Sequence, residues 1–492
     1  MRFFFLAKLR SHGSGMNAPR GARRAARWVM PFALALLWAA PAHAEKPLTL
    51  QDALQIARAN NRDLRVARAR LDQSAASIEQ AWAALLPQLS AQGKYTHNYK
   101  DVALDLGQMN QGVTGLADVI KATSSDPAQV AAIDGFEQRL RTAAAAQPPI
   151  VIQKGEQLDV ALNATVPLIV PYAYGSLRAA RQNQRSGEAN FEATQANVLL
   201  SVARAYYAAA GTDELVIARG NAVAVATETY DNAKVHVDAG LVNRVEMTRA
   251  EVAMVRAKQN QAEAINTRGV AYRSLSTLLG THEDWKVMPP EPARSDAASV
   301  DQLTARARER RPEFAGYRHA IEAAGANASS YGWRWAPTLS AFGNVRAFNY
   351  AGFAGDKYAW AVGGQLDWVL YDGGARDAQR HLYDAQQREN EARLELLHDT
   401  VGDEVAEAYG TLETKRGAVD AAVRSVALSR ETLRLIRAQY EAGTSQQLDV
   451  LQAQDSLVAA EVAVAQARFD MALADLQLQH AVGLFPRERS GR

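Results

Sequence analysis

Two very long stretches of this chain contain no proline, and they constrain its fold more than any other feature. The first stretch runs from Tyr172 to Met288 and the second from Thr338 to Phe485. Proline inside a helix costs about 3 kcal/mol, because it removes a backbone hydrogen bond and clashes with the preceding turn. Both stretches therefore permit helices of unusual length.

Their apolar residues recur at helical spacing among many alanines, glutamines, glutamates and arginines. This pattern predicts long helices over 176–238 and 376–441, each followed by a turn and a second helix, over 244–279 and 447–482. A helix of about 65 residues is roughly 100 Å long. A dimeric coiled coil is the conservative interpretation, but the apolar positions are small and spread beyond a narrow seam, which favours packing on two sides.

The sequence also repeats internally. The segment Pro87-Gln88-Leu89-Ser90-Ala91 matches Pro337-Thr338-Leu339-Ser340-Ala341, and further along the chain Ala239-Gly240 matches Ala442-Gly443. The offset shortens between these matches, which indicates an insertion over about 101–153 in the first half. We expect two structural repeats, 45–290 and 291–492. Their remaining elements are helices at 50–86 and 300–333 and strands at about 88–99, 157–169, 338–349 and 358–370.

The strand segments alternate apolar and mostly polar residues. In the second strand the apolar set is Leu158, Val160, Leu162, Ala164, Val166 and Leu168, and in the fourth it is Trp360, Val362, Gly364, Leu366, Trp368 and Leu370. About 11 residues at this period suit a tilted transmembrane strand. A soluble hairpin buried on one face is the alternative. In the first and third strands, Tyr95, Tyr99, Phe348 and Tyr350 occupy positions suited to an aromatic girdle.

Backbone chemistry separates these two interpretations. An open strand edge in hydrocarbon costs several kcal/mol for each unpaired group, and the smallest closed barrels use about eight strands. Four strands cannot close a barrel. A membrane location therefore requires several copies of the chain to complete one barrel together.

The N-terminus resembles a secretory signal peptide, expected over 1–44 with Met1 or Met16 as its start. Seven basic and no acidic residues precede an apolar stretch from Trp28 to Ala40, and Ala42-His43-Ala44 is a small-x-small cleavage site. Without this segment the chain has no basic excess, so we expect no nucleic-acid partner. The chain also contains no cysteine, which excludes thiolate metal sites and cysteine nucleophiles.

No enzyme is predicted. The nine histidines are scattered, no phosphate-binding loop or nucleophile elbow is present, and we expect neither cofactor nor metal. A periplasmic coiled-coil adaptor or scaffold is the alternative function. It explains the helices but not the alternating strands.

Four motifs together resemble the TolC-like outer-membrane efflux protein family over nearly the whole mature chain. They are Leu50-x-x-Ala53-Leu54-x-x-Ala57 before Asn60-Asn61, Leu86-Pro87-x-Leu89 with its echo at Pro337, Tyr371-Asp372-Gly373-Gly374, and Tyr440-x-x-Gly443-x-x-x-x-Leu448-Asp449-Val450-Leu451-x-Ala453. The resemblance implies a mainly α fold with a β-barrel portion. It implies a homotrimer whose transmembrane barrel has twelve strands, four from each protomer, continuous with a periplasmic barrel of twelve helices.

The resemblance further implies the exit channel of a tripartite efflux or type I secretion system in a Gram-negative outer membrane. Such a channel conducts passively, and its partners are the outer-membrane lipid, an inner-membrane pump and a periplasmic adaptor that opens the closed tunnel. It also implies that the two turns after the long helices dock the adaptor through Gly240, Leu241, Gly443 and Thr444. A C-cap role for both glycines is the simpler interpretation.

By the same resemblance, Asp449, Glu246, Tyr440 and Arg244 are expected at the channel constriction. A helix-start carboxylate is the simpler interpretation of Asp449. Better-known members have a basic residue where Ser445 stands and an acidic one where Gln452 stands. We therefore expect fewer charged contacts to hold the closed state, with Arg244 as a partner for a carboxylate on the facing turn. The insertion is expected outside the cell, as a lid with a helix over 126–146 or as a disordered loop.

Overall fold

The structure, a computed structural model, describes residues 46–104, 106–145, 150–240, 242–289, 298–350 and 356–485. The expected signal peptide, 1–44, lies outside the described residues, as does Leu241. In chain order the elements are β1 (Lys46–Leu48), α1 (Leu50–Asn60), α2 (Arg62–Ala83), β2 (Gln88–His97), β3 (Val102–Leu104), α3 (Leu106–Thr123), α4 (Pro127–Ala145), β4 (Ile150–Gln153), β5 (Glu156–Ile169), α5 (Pro171–Asp238), α6 (Arg244–Leu279), β6 (Trp285–Val287), α7 (Val300–Arg310), α8 (Pro312–Gly332), β7 (Thr338–Phe348), β8 (Tyr358–Asp367), α9 (Ala375–Glu441) and α10 (Gln447–Ala481).

Two long helices dominate the chain. α5 has 68 residues and α9 has 67, so each is about 100 Å long. Pro171 occupies the first turn of α5, where a missing N–H breaks no helical bond, and Gly374 precedes α9 with a φ of +84°. Each long helix turns back into an antiparallel partner, α6 or α10, and α8 packs against both long helices.

The first short helix is broken at Asn61. A continuous helix was expected over 50–86, but α1 and α2 are separated by this residue, whose backbone is extended at φ −60° and ψ 134°. Its side-chain oxygen accepts hydrogen bonds from the amides of Asp63 and Leu64, and its Nδ2 donates to the carbonyl of Leu278 at 2.7 Å. Asn61 therefore caps α2 and ties the break to the end of α6.

The helix expected over 300–333 is likewise divided into α7 and α8, followed by a 3-10 turn at Trp333–Trp335. The break lies at Arg311, which is extended at φ −70° and ψ 126°. Pro312 follows it directly, and proline disfavours the helical conformation in the residue before it. Proline also fits the first turn of the new helix.

One antiparallel sheet contains the four expected strands in the order β2-β5-β7-β8. In its register Leu162 lies opposite both Ala91 and Val345. β2 and β8 are the outer strands, so each has one edge that pairs with no other strand in the described part of the chain. The sheet is thus an open segment with two available edges.

One face of this sheet is covered with exposed apolar side chains. The large ones that are more than a third exposed in the single chain include Leu89, Tyr95, Leu158, Val160, Leu162, Val166, Leu168, Val345, Tyr358, Trp360, Val362 and Leu366. Burial of each large aliphatic side chain is worth about 1.5–3 kcal/mol. A sheet that leaves so many of them uncovered is suited to an apolar surrounding.

The segment between β2 and β5 contains more regular structure than the sequence suggested. β3 and β4 extend the strand pair as a short antiparallel ribbon, and α3 and α4 pack together as a helical hairpin. α4 matches the helix expected over 126–146, with the Asp126 carboxylate accepting from the Ala128 amide at 2.9 Å. α3 has no counterpart in the sequence predictions.

The main apolar core lies where the short helices meet the middle of the long ones. Its largest cluster surrounds Tyr206 of α5 and includes Leu48, Leu199, Leu275 and Leu279. Here β1 and β6 form a parallel pair that the sequence did not predict. A second cluster contains Phe314, Val401, Val405 and Val482. These clusters hold the long helices at mid-length, far from the turns at their ends.

Candidate functional site at the helix tip

Both turns after the long helices contain a glycine in the left-handed conformation. Gly240 has a φ of +74° and Gly443 a φ of +75°. The Gly443 amide donates to the carbonyl of Tyr440 at 3.0 Å, and the Thr444 amide donates to that of Gln439 at 2.9 Å. This pair of bonds is a Schellman motif, in which the left-handed residue lets the chain satisfy the last helical carbonyls.

A side chain added at either glycine would meet open space, since no other group lies within 4 Å of the position that a Cβ would take at Gly240 or Gly443. Thr444, which follows Gly443, is exposed, and its hydroxyl donates to the Gln439 carbonyl at 3.0 Å. Both glycines are therefore required for the turn and are also accessible at the end of the molecule. We call segments 239–246 and 442–449 the tip turns.

Asp449 is held by two donors of its own turn. Its Oδ2 accepts from the Gln446 amide at 3.0 Å and from the Ser445 hydroxyl at 2.8 Å. These bonds, the amide first, lower the pKa of the Asp449 carboxyl below its ordinary value of 3.8. Ser445 thus supplies a neutral donor at a position where a basic residue would supply a charge.

Glu246, in the other tip turn, pairs with Arg249 of its own helix at 3.2 Å. The second carboxylate oxygen of Glu246 is buried, with no hydrogen-bond partner within the described protomer. Asn243 precedes it as the helix cap, accepting from the Val245 amide at 3.2 Å. The two carboxylates are therefore held differently, Asp449 by neutral donors and Glu246 by a cation.

Arg244 does not reach a carboxylate of the facing turn in this protomer. Across the described residues it forms no ion pair, and its side chain lines a groove between α5, α6 and α10. The groove encloses about 1000 Å³, and its charged lining residues are Arg219, Arg244, Arg249, Arg256 and Asp455. No sequence signal indicated this groove, because its basic residues are spaced like those of any solvated helix face.

Tyr440 lies at the end of α9 as a half-buried side chain. It packs on a small apolar cluster of Leu433, Val450 and Ala453, with Ile436 and Leu457 around it. The cluster joins the last turns of α9 to the first turns of α10. Tyr440 is thus placed to couple the arrangement of the two helices to the conformation of the turn.

The described part of the chain offers no site for a metal, since no three His, Asp or Glu side chains in it converge. None of its helices combines the length and the apolar character needed to cross a bilayer.

A family model described as "Outer membrane efflux protein" matches residues 153–281 and 303–484. The toluene efflux pump outer membrane protein TtgC of Pseudomonas putida is 24% identical over 455 residues, which cover 90% of this chain and 84% of that protein. The outer membrane protein TolC of Vibrio cholerae is 23% identical over 342 residues, 67% of this chain and 78% of the relative.

Two solved channels have a similar fold. The Campylobacter jejuni CmeC outer membrane channel superposes with a TM-score of 0.68 at 16% identity, covering 90% of this chain and 87% of that one. The open state of the Neisseria gonorrhoeae MtrE outer membrane channel gives 0.66 at 21% identity, covering 88% and 89%. The long helices and the four-stranded sheet are thus arranged as in outer membrane channels.

Proposed function

The chain belongs to the outer membrane efflux protein family, and we propose that three copies of it form the passive exit channel of a tripartite efflux or type I secretion system. Membership confirms the resemblance carried by the sequence motifs. The protein is an efflux protein of a Gram-negative outer membrane, with its helical part in the periplasm. Conduction through the channel needs no cofactor, because the pump supplies the energy.

The open sheet is the single observation that carries this proposal. It has two unpaired edges and a face of exposed Leu, Val and Trp side chains. Hydrocarbon favours such a face but does not tolerate the edges. In the proposed trimer β8 of one protomer pairs with β2 of the next, which closes a barrel of twelve strands. A periplasmic adaptor or scaffold would have no use for this sheet.

The long helices continue the ring below the membrane. Each protomer contributes α5 with α6 and α9 with α10, so three protomers supply a barrel of twelve helices in the manner expected from the repeat. Correspondence between the halves supports the repeat: Gly280 lies against Asn60 at the end of α1, and Gly483 lies against Arg310 at the end of α7. Helices about 100 Å long extend far into the periplasm.

We assign the constriction to the tip turns. In a trimer Asp449 becomes a ring of three carboxylates that attracts cations, while Glu246, Arg244 and Tyr440 surround it. Because Ser445 and Gln446 hold Asp449 within its own turn, few charged contacts lock one turn to another. Arg244 has no ion-pair partner inside the described protomer, so a neighbouring protomer is the source of its carboxylate.

We assign adaptor docking to Gly240, Leu241, Gly443 and Thr444. Gly443→Trp tests this assignment, since the left-handed φ makes the variant strained while the open space around it admits the ring. Gly373→Trp is the matched control, because Gly373 has a φ of +72° and equally open surroundings but lies before α9, at the other end of the helix. We expect both variants to form trimers and only Gly443→Trp to abolish export. Undiminished export by Gly443→Trp would refute the docking role.

The trimer has its own test. On an electrophoresis gel, unheated outer-membrane fractions should show a band of three chains that heating converts to single chains. Purification of the inner-membrane partner together with this trimer would identify the pump. A mature protein that is monomeric and soluble without detergent contradicts the proposal as a whole.

A further inference from the structure

The helical hairpin of α3 and α4 lies at the end of the sheet opposite the long helices. It connects the end of β2 to the start of β5 through the β3–β4 ribbon, while α5 and α9 leave the sheet at its other end. The end of β7 lies at the same end of the sheet as the ribbon, since the Asn349 side chain accepts from the Leu158 amide and donates to the Glu156 carbonyl at the start of β5. The hairpin therefore stands at the outer mouth of the proposed barrel.

The seam between these two helices contains a charged cluster. Lys121 of α3 is only 18% exposed and lies 2.7 Å from Asp134 and 2.6 Å from Glu137, both on α4. Glu137 is itself buried, as is Ala117, one turn before Lys121. These three charged residues fix how the helices fit together, but they contribute little apolar burial.

Several large apolar side chains of α3 lie outside this seam. Val113, Leu116 and Ile120 are 43%, 65% and 50% exposed. Their spacing of three and then four residues is the a-d-a pattern of a coiled-coil heptad. Val119 and, on α4, Phe136 are exposed as well. The hairpin thus leaves several large apolar side chains exposed on the outside of α3, as a freely solvated helix pair does not.

We propose that Val113, Leu116 and Ile120 of α3 pack against the same face of α3 in two other copies of this chain, so that three helices form a cover over the outer mouth. This inference rests on the proposed trimer. A heptad face matches a second helix of its own kind. The hairpin also follows β2 through the β3–β4 ribbon, and β2 is the free edge at which the neighbouring copy adds its β8, so the helical contact lies on the side of the contact between the strands.

A membrane surface is a less suitable partner for this face. Helices that lie on a bilayer carry many lysines and arginines on their polar side. α3 contains one aspartate and one lysine, and α4 contains Asp134, Glu137, Arg139 and Arg141, so each helix has no net charge. The apolar side chains therefore lack the electrostatic attraction that would hold them to anionic headgroups.

Disulfide trapping in intact outer membranes tests the contact, and the chain contains no native cysteine to interfere. In Leu116→Cys the new thiols lie on the proposed contact, whereas in Ala122→Cys they lie on the opposite, exposed side of α3. After mild oxidation we expect disulfide-linked dimers from Leu116→Cys, joining two of the three chains, and none from Ala122→Cys. Equal or absent linkage in both variants would overturn the proposal.

Heat-modifiable trimers are measured on the same samples. If Leu116→Cys forms trimers but no disulfide, the three-helix cover is refuted and the proposed channel is not. If no trimers form, the proposed function itself is refuted. In single-channel recordings, oxidised Leu116→Cys should lose conductance and recover it with a reductant. Leu116→Asp should raise conductance relative to Ala122→Asp, because three like-charged aspartates would repel one another in the three-helix contact. Equal conductance in these two variants counts against a cover.

Discussion

The guanidinium of Arg376 lies 3.8 Å from the centroid of the Trp335 ring. Arg376 also binds Asp372 at 2.9 Å and donates to the carbonyl of Arg334 at 3.0 Å. Its side chain is 7% exposed, although it stands at the first turn of α9. One cation thus joins the start of a long helix to the turn that leads into β7, at the junction of sheet and helices.

Replacing Arg376 should weaken this junction. Arg376→Ala removes a stacked and hydrogen-bonded cation and leaves the Asp372 carboxylate with only backbone donors. We expect the trimer to dissociate in detergent at a temperature several degrees lower. Arg393→Ala is the control, since Arg393 pairs with Glu389 on the surface of the same helix and both side chains are more than half exposed. Equal effects of the two variants would contradict a special role for Arg376.

The glycines that end α5 and α6 should differ in their tolerance of a methyl group. Gly240→Ala meets only the strain of a left-handed φ, about 1–2 kcal/mol. Gly280→Ala adds a collision, because its Cβ would lie 2.5 Å from the carbonyl oxygen of Asn60. We expect Gly280→Ala to reduce the yield of folded trimer and Gly240→Ala to leave it nearly unchanged. The comparison is made by the amount of heat-modifiable band in outer membranes.

Cation selectivity should depend on Asp449 and, through pH, on Ser445. Asp449→Ala removes the proposed ring of carboxylates, so we expect lower cation selectivity or weaker block by divalent cations in single-channel recordings. Glu407→Gln removes an exposed charge midway along α9 and serves as the control. Unchanged conduction in Asp449→Ala would refute the ring.

The pH dependence follows from the donors to Asp449. Its pKa is lowered in the fold by the Gln446 amide and the Ser445 hydroxyl, so the charged form persists as the pH falls below the ordinary value of 3.8 and is lost only at the lowered pKa. Ser445→Ala removes one donor and moves the pKa of Asp449 upward. Selectivity in this variant should therefore disappear at a higher pH than in the wild type. A shift in the other direction, or none, contradicts the assigned hydrogen bond.

Tyr206 should be important for the joint between the short and long helices. Its hydroxyl is buried and lies 3.0 Å from the carbonyl of Leu48 and 2.8 Å from that of Met288. Tyr206→Phe should reduce stability by about 1–3 kcal/mol, because it leaves buried carbonyls without this donor. Tyr99→Phe, at a side chain that is 96% exposed, should have no effect.

Burial also raises the pKa of Tyr206 to about 12 from an ordinary value of 10.0. The stabilisation tied to the protonated hydroxyl is complete below pH 10 and is lost as the pH rises toward 12. Dissociation temperatures measured across this interval should fall less steeply for Tyr206→Phe than for the wild type. Identical slopes would show that other groups determine the alkaline limit.

Features that depend on neighbouring residues in the chain were predictable. Missing prolines allowed α5 and α9, glycines marked the turns at their ends, and alternation marked the strands with their exposed apolar face. These signals are local because helix continuity, turn geometry and strand pattern follow from the backbone and its adjacent side chains. The outer membrane location and the efflux family were also within reach, since several motifs occur together.

Contacts between distant segments were not predictable in this way. Asn61 breaks the first helix because it caps α2 while its amide group binds the carbonyl of Leu278, 217 residues away. Arg219 and Arg244 line one groove because of the way in which α5, α6 and α10 lie side by side. Lys121 of α3 faces α4 while Leu116 is exposed, and this too depends on which helices are neighbours. The sequence by itself determined the lengths and turning points of the elements. Only the tertiary structure decided which of their faces meet, because that choice depends on the summed packing and charge of residues far apart in the chain.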